Sequence, residues 1–335
     1  MRIAIIGGGV GGLTAAIALL RRGFEVEVLE QAPAISAVGA SLQLGPNAVR
    51  LLDELGFLPA LRSIGVRPDA VDFLRWDDGS LLLHQALGED AETHFGAPQL
   101  DFYRPDLHRV LANALPDGVL RLGVRVDGVE QDDSGVTVVT KQGERIRADA
   151  AVAADGIRSR IRQQLVGEGN PTFSNTVVYR GVVPRAEIAH LHPDRLNLYW
   201  LGPQRHGVAY WIAGGDLLAV NCAVQDAEWS RESWTLEASA EEAAQAVEDA
   251  YVLAECLTAD ADVERTFARY EQIRMSRAEE LQESSAAAAN VFYLPDGDEQ
   301  RRRDARYATI LGDFPFGTRQ PIWEYNVRDA LANIA

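Results

Sequence analysis

Glycines clustered near the N-terminus are the residues whose spacing implies chemistry most clearly. Gly7, Gly9 and Gly12 occupy the three positions of a G-x-G-x-x-G motif. In this motif the first glycine permits a tight turn, the second lets the backbone approach a pyrophosphate, and the third allows close packing of a helix. Glu30 follows about 20 residues further on, where a carboxylate accepts hydrogen bonds from a ribose diol. The pattern predicts a dinucleotide site, and its spacing alone leaves open whether the nucleotide is FAD or NAD.

The segments around these glycines have the patterns needed to hold such a site. Residues 2–6 are an apolar run typical of a buried parallel strand, and residues 25–30 are typical of a second strand. Between them, residues 13–22 place apolar side chains on one face of a helix, which Gly23 ends. Together they predict a βαβ unit whose helix presents unpaired N–H groups and a partial positive charge to a phosphate.

The composition excludes several other classes of protein. The chain has 335 residues, 47% of them hydrophobic, which is enough for one large discontinuous domain or two ordinary ones. Its formal net charge of −17 has the wrong sign for nucleic acid or an anionic membrane surface. No apolar run approaches the roughly 20 residues that span a bilayer, so we expect a cytoplasmic protein with a small-molecule substrate. Cys222 and Cys256 lie far apart in apolar surroundings, which predicts buried thiols and no metal site.

The rest of the chain alternates between helical and strand periodicity. The predicted segments are a helix at 47–55, a hairpin at 70–84 turning at 77–79, a helix at 105–115, strands at 120–129, 135–140 and 145–154, an antiparallel sheet over 176–224 with a short helix near 186–191, and helices at 238–257 and 263–289. The last helix would extend about 40 Å at 1.5 Å per residue.

Three further stretches have recognisable sequences. They are residues 39–48 (GASLQLGPNA), residues 103–107 (YRPDL) and residues 154–162 (ADGIRSRIR). With the glycine motif and the strands from Tyr179 to Tyr210, they resemble the flavin-dependent aromatic hydroxylases over almost the whole chain. This family of single-component monooxygenases includes salicylate, hydroxybenzoate and 6-hydroxynicotinate hydroxylases.

The resemblance implies FAD as the cofactor and NADH or NADPH as the co-substrate. In the family the first stretch runs beside the flavin, the second supplies an arginine to the cofactor, and the third lies by the pyrophosphate. The residues placed at the cofactor in this way are Gly7, Gly9, Gly11, Gly12, Glu30, Gln31, Gln43, Arg104, Val126, Asp155 and Gly156. Without the resemblance, Arg104 is a solvated cation and Asp155–Gly156 an ordinary strand-to-helix turn.

His206 and Tyr210 are the candidate catalytic residues. Side chains alternate along a strand, so both point to one face, and we expect them to stand together over one pocket. The resemblance to the 6-hydroxynicotinate branch implies that they hold or deprotonate a phenolic substrate, work that suits a neutral imidazole near pH 7. The alternative is that both simply pack at a sheet surface.

One motif of the family has no counterpart in this sequence. Family members carry a strand ending in Gly-Asp, followed by Ala-Ala or Ala-Cys and then His-Pro. Here residues 228–234 resemble the segment before that motif and residues 244–250 the segment after it. Gly215–Asp216 lies in a predicted turn, and Gly312–Asp313 comes too late in the chain. Because the motif normally supplies a central strand and contacts to the flavin, we expect an exposed sheet edge and apolar surface.

The sequence therefore predicts an FAD-dependent monooxygenase that hydroxylates a small aromatic, phenolic acid with NAD(P)H and O₂ through a flavin C4a-hydroperoxide. The expected fold is α/β. A Rossmann-type FAD-binding domain with a parallel sheet comprises residues 1–70 and 98–170, and helix 238–257 returns to it. An antiparallel-sheet substrate domain comprises residues 71–97 and 171–235, and a helical C-terminal region with a long helix comprises residues 258–335. Two alternatives stay open. One is a truncated, catalytically impaired flavin-binding protein of the same family. The other is an NAD-dependent dehydrogenase, and the Asp155–Gly156 segment argues against it. The oligomeric state, a homodimer included, is open.

Overall fold

The protein is represented by a computed structural model that describes residues 1–35, 41–167, 173–188, 190, 194–225, 240–259, 262–312, 315–317 and 319–332. In chain order its strands and α-helices are β1 (Arg2–Ile6), α1 (Val10–Arg21), β2 (Glu25–Leu29), β3 (Ser41–Leu44), α2 (Pro46–Glu54), α3 (Leu58–Ile64), β4 (Ala70–Arg75), β5 (Leu81–Ala86), α4 (Gly88–Phe95), β6 (Leu100–Tyr103), α5 (Arg104–Asn113), β7 (Leu120–Arg121), β8 (Val126–Asp132), β9 (Gly135–Thr140), β10 (Arg145–Ala148), β11 (Ala150–Ala153), α6 (Arg160–Val166), β12 (Thr176–Pro184), α7 (Arg185–Ile188), β13 (Leu196–Gly202), β14 (Arg205–Ile212), β15 (Leu217–Gln225), α8 (Ala240–Ala259), α9 (Val263–Phe292), α10 (Asp298–Tyr307), α11 (Gln320–Glu324) and α12 (Val327–Ala332).

Two sheets dominate the fold, and they confirm the predicted α/β class. A parallel sheet has the strand order β11-β1-β2-β7, and a larger sheet has the order β12-β15-β14-β13-β4-β5. All pairs in the larger sheet are antiparallel except β4 with β13, which is parallel. Smaller sheets join β10-β9-β8 and β3-β6. The parallel sheet carries the glycine loop, and β3-β6 lies against the larger sheet through contacts of β6 with β14.

The largest hydrophobic core surrounds α1. This helix is buried along most of its length and packs against α8, α5 and the two strands that flank it. The same core takes in α2 and β3, with Leu13, Leu52, Leu107 and Val252 all fully buried. Burial of this apolar surface fixes the start of α1, and therefore the glycine loop, relative to the rest of the protein.

Two predicted strands are divided in the structure. Residues 120–129 give β7 and β8 in different sheets, because Gly123 takes a positive φ of 73° and its N–H donates to the carbonyl of Ala32. Residues 145–154 give β10, which is antiparallel to β9, and β11, which is parallel to β1. The direction of pairing changes at Asp149, whose N–H donates to the carbonyl of Arg2.

The prediction that both cysteines are buried is wrong for one of them. Cys256 is buried in α8, whereas Cys222 is exposed. Cys222 follows Asn221 in β15, and successive side chains of a strand point to opposite faces of the sheet. Asn221 points towards β3, where its amide lies 3.4 Å from the Ser41 hydroxyl, so Cys222 points to the other face.

The long C-terminal helix is present as α9, which has 30 residues and packs against the 20-residue α8. Among the described residues, no helix is both long and apolar enough to cross a membrane.

A buried ionic cluster joins α8 and α9. Glu248 in α8 is fully buried, and its carboxylate lies 3.0 Å from Arg274 and 3.4 Å from Arg277, both in α9. It also accepts a hydrogen bond of 2.7 Å from the Asn47 amide of α2. Arg274 makes a second ion pair with Asp249 at 2.6 Å. One carboxylate therefore satisfies donors from two other helices, and removing its charge would leave buried cations without their shared partner.

We expect Glu248→Gln to lower the free energy of unfolding by about 3–5 kcal/mol, because Arg274 and Arg277 would lose a buried counter-charge. Asp298→Asn is the control, since its pair with Arg301 is exposed and worth less than about 1 kcal/mol. Urea unfolding measures both changes. Equal stability of the two variants would contradict the role given to the cluster.

Candidate functional site

The glycine loop between β1 and α1 is held by very close backbone contacts. Gly7 has a positive φ of 109°, and a Cβ added to it would lie 2.2 Å from the carbonyl oxygen of Ala154. A Cβ on Gly12 would lie 2.0 Å from the carbonyl oxygen of Gly7. Both positions therefore exclude any side chain. The contact with Ala154 also brings the start of the Asp155–Gly156 turn against the loop.

Gly9 differs from its neighbours because the space beside it is open. A Cβ on Gly9 would meet no described atom within 4 Å, and its φ of −71° suits any residue. Gly9 is the N-cap of α1, and no side chain among the described residues caps that helix end. The first N–H groups of α1 are thus available to an anion, and the open space beside Gly9 can hold a pyrophosphate.

Glu30 lies directly against this loop. One carboxylate oxygen accepts a hydrogen bond of 2.6 Å from the Gly8 N–H, and the other accepts one of 2.7 Å from the Ala32 N–H. Each carboxylate oxygen has a further lone pair, so the group can still accept from a ribose diol. Gln31, the next residue, is exposed.

The other predicted cofactor residues occupy different positions around the loop. Arg104 is exposed at the start of α5. One oxygen of Asp155 accepts from the N–H groups of Arg160 and Ile161, whereas Oδ1 is buried with no hydrogen-bond partner among the described residues. Val126 is buried in a core that β8 and β9 share with Ile6 and Leu29, the residues that directly precede Gly7 and Glu30.

Gln43 lies on β3, between the nucleotide layer and the larger sheet. Its side-chain oxygen accepts a hydrogen bond of 2.8 Å from the Tyr199 hydroxyl. Its amide nitrogen is buried beside Asp101, which lies directly opposite on β6, and it lowers the pKa of that carboxyl by hydrogen bonding. Gln43 therefore joins Tyr199 of the larger sheet to Asp101 of β6. Residues 39–40 of the same predicted stretch lie outside the described residues.

His206 and Tyr210 point to the same face of β14, but the structure does not bring them together. The Tyr210 hydroxyl donates a hydrogen bond of 2.7 Å to Ser41 on β3. The His206 ring lies instead beside Phe292 and Tyr293, with ring centroids 5.4 and 5.3 Å away. Four residues of strand separate them by about 13 Å at 3.3 Å per residue. The two side chains therefore lie at different places on one face, and their position over one pocket stays a prediction.

The His206 ring is kept neutral by its surroundings. Burial lowers the pKa of His206 to about 4, because a charged imidazolium would lose its hydration there. Its Nδ1 atom is buried and has no hydrogen-bond partner among the described residues. A neutral ring with one such nitrogen can accept a hydrogen bond from a bound molecule.

Asp101 is a buried acid that the sequence analysis missed. It lies on β6 directly opposite Gln43 of β3, and it is fully buried. Its carboxylate accepts hydrogen bonds from the Asn197 amide at 2.7 Å and from the Gln99 amide at 3.1 Å. Burial raises the pKa of Asp101 to about 7, although hydrogen bonds from the side chains of Asn197, Gln99 and Gln43 oppose the rise. The only signal in the sequence is an aspartate between the apolar residues Leu100 and Phe102, a residue type that strands disfavour.

The described residues leave β11 at the edge of the parallel sheet. β11 pairs only with β1 among them, and Ala153 at its end is exposed. The stretch in which the sequence lacks the family's Gly-Asp motif, residues 226–239, lies outside the described residues.

These features fit FAD. The open space at Gly9 and the uncapped start of α1 suit its pyrophosphate, and Glu30 suits its ribose. The larger sheet packs against β3 through Tyr199 and Tyr210. The fold and this arrangement define a flavoprotein.

Comparison with known proteins agrees with this class. Residues 1–283 match the FAD-binding domain family. A 3-amino-4-hydroxybenzoate 2-monooxygenase of Streptomyces platensis is 34% identical over 367 positions, which cover 92% of this chain and 92% of that protein. A 6-hydroxynicotinate 3-monooxygenase of Pseudomonas fluorescens is 35% identical over 267 residues, which cover 79% of this chain and 69% of that protein.

Solved structures share the fold over nearly the whole chain. A salicylate hydroxylase in complex with its substrate has a TM-score of 0.78 at 21% identity, and the match covers 100% of this chain and 98% of that one. A Klebsiella pneumoniae protein complexed with FAD and uric acid has a TM-score of 0.82 at 19% identity, with 99% and 97% covered.

The chain therefore belongs to the FAD-binding domain family, as an FAD-dependent monooxygenase of the aromatic hydroxylase type. The resemblance and the cofactor predicted from the sequence are confirmed. The comparisons give no support to an impaired flavin-binding protein. The alignment with the Streptomyces protein has 367 positions whereas this chain has 335 residues, so some positions of that relative have no counterpart here.

Substituting two glycines of the loop separates folding from cofactor binding. Gly12→Ala should lower the free energy of unfolding of the apoprotein by about 1–3 kcal/mol, because its Cβ would overlap the Gly7 carbonyl oxygen. Gly9→Ala should leave this stability near that of the wild type and weaken FAD binding at least about tenfold, because its Cβ enters the space left for the pyrophosphate. Thermal unfolding and FAD fluorescence titration measure the two effects. Wild-type FAD affinity in Gly9→Ala would contradict this placement of the cofactor.

Asp101 should make stability depend on pH. The folded protein holds the Asp101 proton up to about pH 7, whereas the unfolded chain releases it near the ordinary aspartate pKa of 3.8. Relative to Asp101→Asn, the wild type should therefore lose stability as the pH rises from about 4 to about 7 and show no further loss above it. Thermal unfolding from pH 4.5 to 8 measures the difference. Asp117→Asn is the control, because Asp117 lies in an exposed turn, and its stability should follow the wild-type curve. A difference in stability between the wild type and Asp101→Asn that stays constant with pH would refute the prediction.

Proposed function

We propose that this protein hydroxylates a small aromatic acid that carries a phenolic hydroxyl group, with NADH or NADPH as the reductant and O₂ as the oxidant. The observation that carries the proposal is the face of the larger sheet that meets β3. Tyr199 and Tyr210 lie on that face with their hydroxyl groups bound to Gln43 and Ser41. The predicted flavin position beside Gln43 adjoins this face, so an aromatic ring bound along the face would lie close to the cofactor.

Bound FAD would supply the electron transfer from NAD(P)H and the activation of O₂. The chain itself must position the aromatic ring, exclude water and increase the electron density of the phenol. Tyr210 supports positioning, because its hydroxyl is buried and fixed by Ser41. His206 lies further along the same face and supports substrate binding, because burial keeps its imidazole neutral at pH 7 and its Nδ1 can accept a hydrogen bond from the phenolic hydroxyl.

The relatives indicate which acids to test. The Streptomyces platensis relative is named for 3-amino-4-hydroxybenzoate and matches 92% of this chain. A relative from Polaromonas naphthalenivorans, 38% identical over 217 residues covering 64% of this chain and 54% of that protein, is named a 3-hydroxybenzoate 6-hydroxylase. We propose 3-amino-4-hydroxybenzoate as the first substrate to test, ahead of 6-hydroxynicotinate and 3-hydroxybenzoate.

The test is to incubate the FAD-loaded protein with NADH or NADPH and each of the three acids in air. NADH oxidation, hydrogen peroxide and hydroxylated product are measured together. The proposal expects one acid to accelerate NAD(P)H oxidation and to yield hydroxylated product in near-equal amount. Oxidation that yields only hydrogen peroxide with every acid would overturn it and would favour an impaired flavoprotein.

Two substitutions test the assigned side chains. Tyr210→Phe removes the hydroxyl that binds Ser41, and His206→Asn removes the imidazole, so each should lower the yield of product per NAD(P)H oxidised. His206→Asn should lower kcat by about tenfold, as expected for one lost hydrogen bond to the phenolic hydroxyl. Tyr179→Phe is the matched control, because Tyr179 lies opposite the exposed Cys222 and points away from β3. Equal effects of Tyr179→Phe and Tyr210→Phe would exclude a role for this face.

A further inference from the structure

A histidine of α5 makes a contact with the glycine loop that no sequence motif indicates. The Nε2 atom of His108 lies 2.5 Å from the carbonyl oxygen of Gly8. A carbonyl oxygen only accepts hydrogen bonds, so Nε2 carries a proton and donates it. The contact joins α5, which begins with Arg104, to the loop that follows β1.

Gly8 is held through both of its backbone groups. Its N–H donates to Glu30 at 2.6 Å, and its carbonyl accepts from His108. With no side chain of its own, Gly8 depends on these two partners for the orientation of its peptide groups. A rotation of either peptide would break one of the two hydrogen bonds.

The hydrogen bond to His108 also determines where the next N–H points. The described residues contain no cis peptide bond. In a trans peptide the C=O of one residue and the N–H of the next point in opposite directions. Because the Gly8 carbonyl is held towards α5, the Gly9 N–H points away from α5. If this peptide flipped, its carbonyl oxygen, which is the negative end of the peptide dipole, would take the place of that N–H on the side away from α5.

We propose that His108 is a positioning residue of the FAD site, which holds the Gly8–Gly9 peptide with its N–H, and not its carbonyl oxygen, towards the pyrophosphate. The open space beside Gly9 and the uncapped start of α1 lie next to this peptide. His108 itself does not touch the phosphates. The inference rests on FAD binding and is independent of the substrate proposed above.

Two conservative substitutions of His108 test this role. A glutamine places its amide N–H near the position of the histidine Nε2, whereas the shorter asparagine does not reach the Gly8 carbonyl. His108→Gln should bind ADP and FAD within about threefold of the wild type, and His108→Asn should bind both about tenfold more weakly, as expected for one lost hydrogen bond. Arg109→Ala, the next residue of α5, is the control, because Arg109 is exposed and pairs with Asp106 of the same helix.

The affinity for adenosine separates positioning from a general structural role. Adenosine lacks the phosphates but keeps the ribose that Glu30 would bind, so His108→Asn should bind it like the wild type. The measurement is calorimetric titration of the full-length apoprotein with adenosine, ADP and FAD, with thermal unfolding of each variant. Equal ADP affinity of the Asn and Gln variants would overturn the proposal. So would a parallel loss of ADP and adenosine affinity together with a lower melting temperature.

Discussion

The contact between Gly12 and the carbonyl oxygen of Gly7 is the constraint on which the rest of the structure depends. A single methyl group at position 12 would lie 2.0 Å from that oxygen, so α1 can begin against β1 only because both residues lack side chains. That start directs the first N–H groups of α1 towards the open space at Gly9. The burial of α1 against α8 and α5 then holds the position, and Ala154 packed against Gly7 adds the Asp155–Gly156 turn. The cofactor site is thus a consequence of backbone packing, and its charged residues are arranged around it.

The strand β3 joins the nucleotide-binding part of the fold to the larger sheet. Ser41 and Gln43 accept hydrogen bonds from Tyr210 and Tyr199, while Asp101 on the neighbouring strand accepts one from Asn197. All three links are buried, so breaking any one of them would leave a polar group without a partner in a site that excludes water. They therefore fix the distance between the predicted flavin position and the face that carries His206.

Features that arise from neighbouring residues could be predicted from the sequence, and features that depend on distant contacts could not. The βαβ unit and the hairpin at residues 77–79 follow from local periodicity and turn residues, and both are present. Alternation along a strand correctly gave the shared face of His206 and Tyr210, but it gives neither their separation nor what covers each one. The same limit explains Cys222, because alternation does not say which face of a sheet is covered. Asp101 and His108 were missed because their partners, Asn197 and Gly8, lie far away in sequence and meet them only in the fold.

The origin of the oxygen atom in the product tests the central claim, that this chain is a monooxygenase, most directly. The FAD-loaded protein would be supplied with NAD(P)H and 3-amino-4-hydroxybenzoate under ¹⁸O₂, and the product analysed by mass spectrometry. The account predicts a hydroxylated acid with one ¹⁸O atom per molecule, because the buried site excludes water and O₂ is the oxidant. A product whose new hydroxyl carries oxygen from water would contradict it.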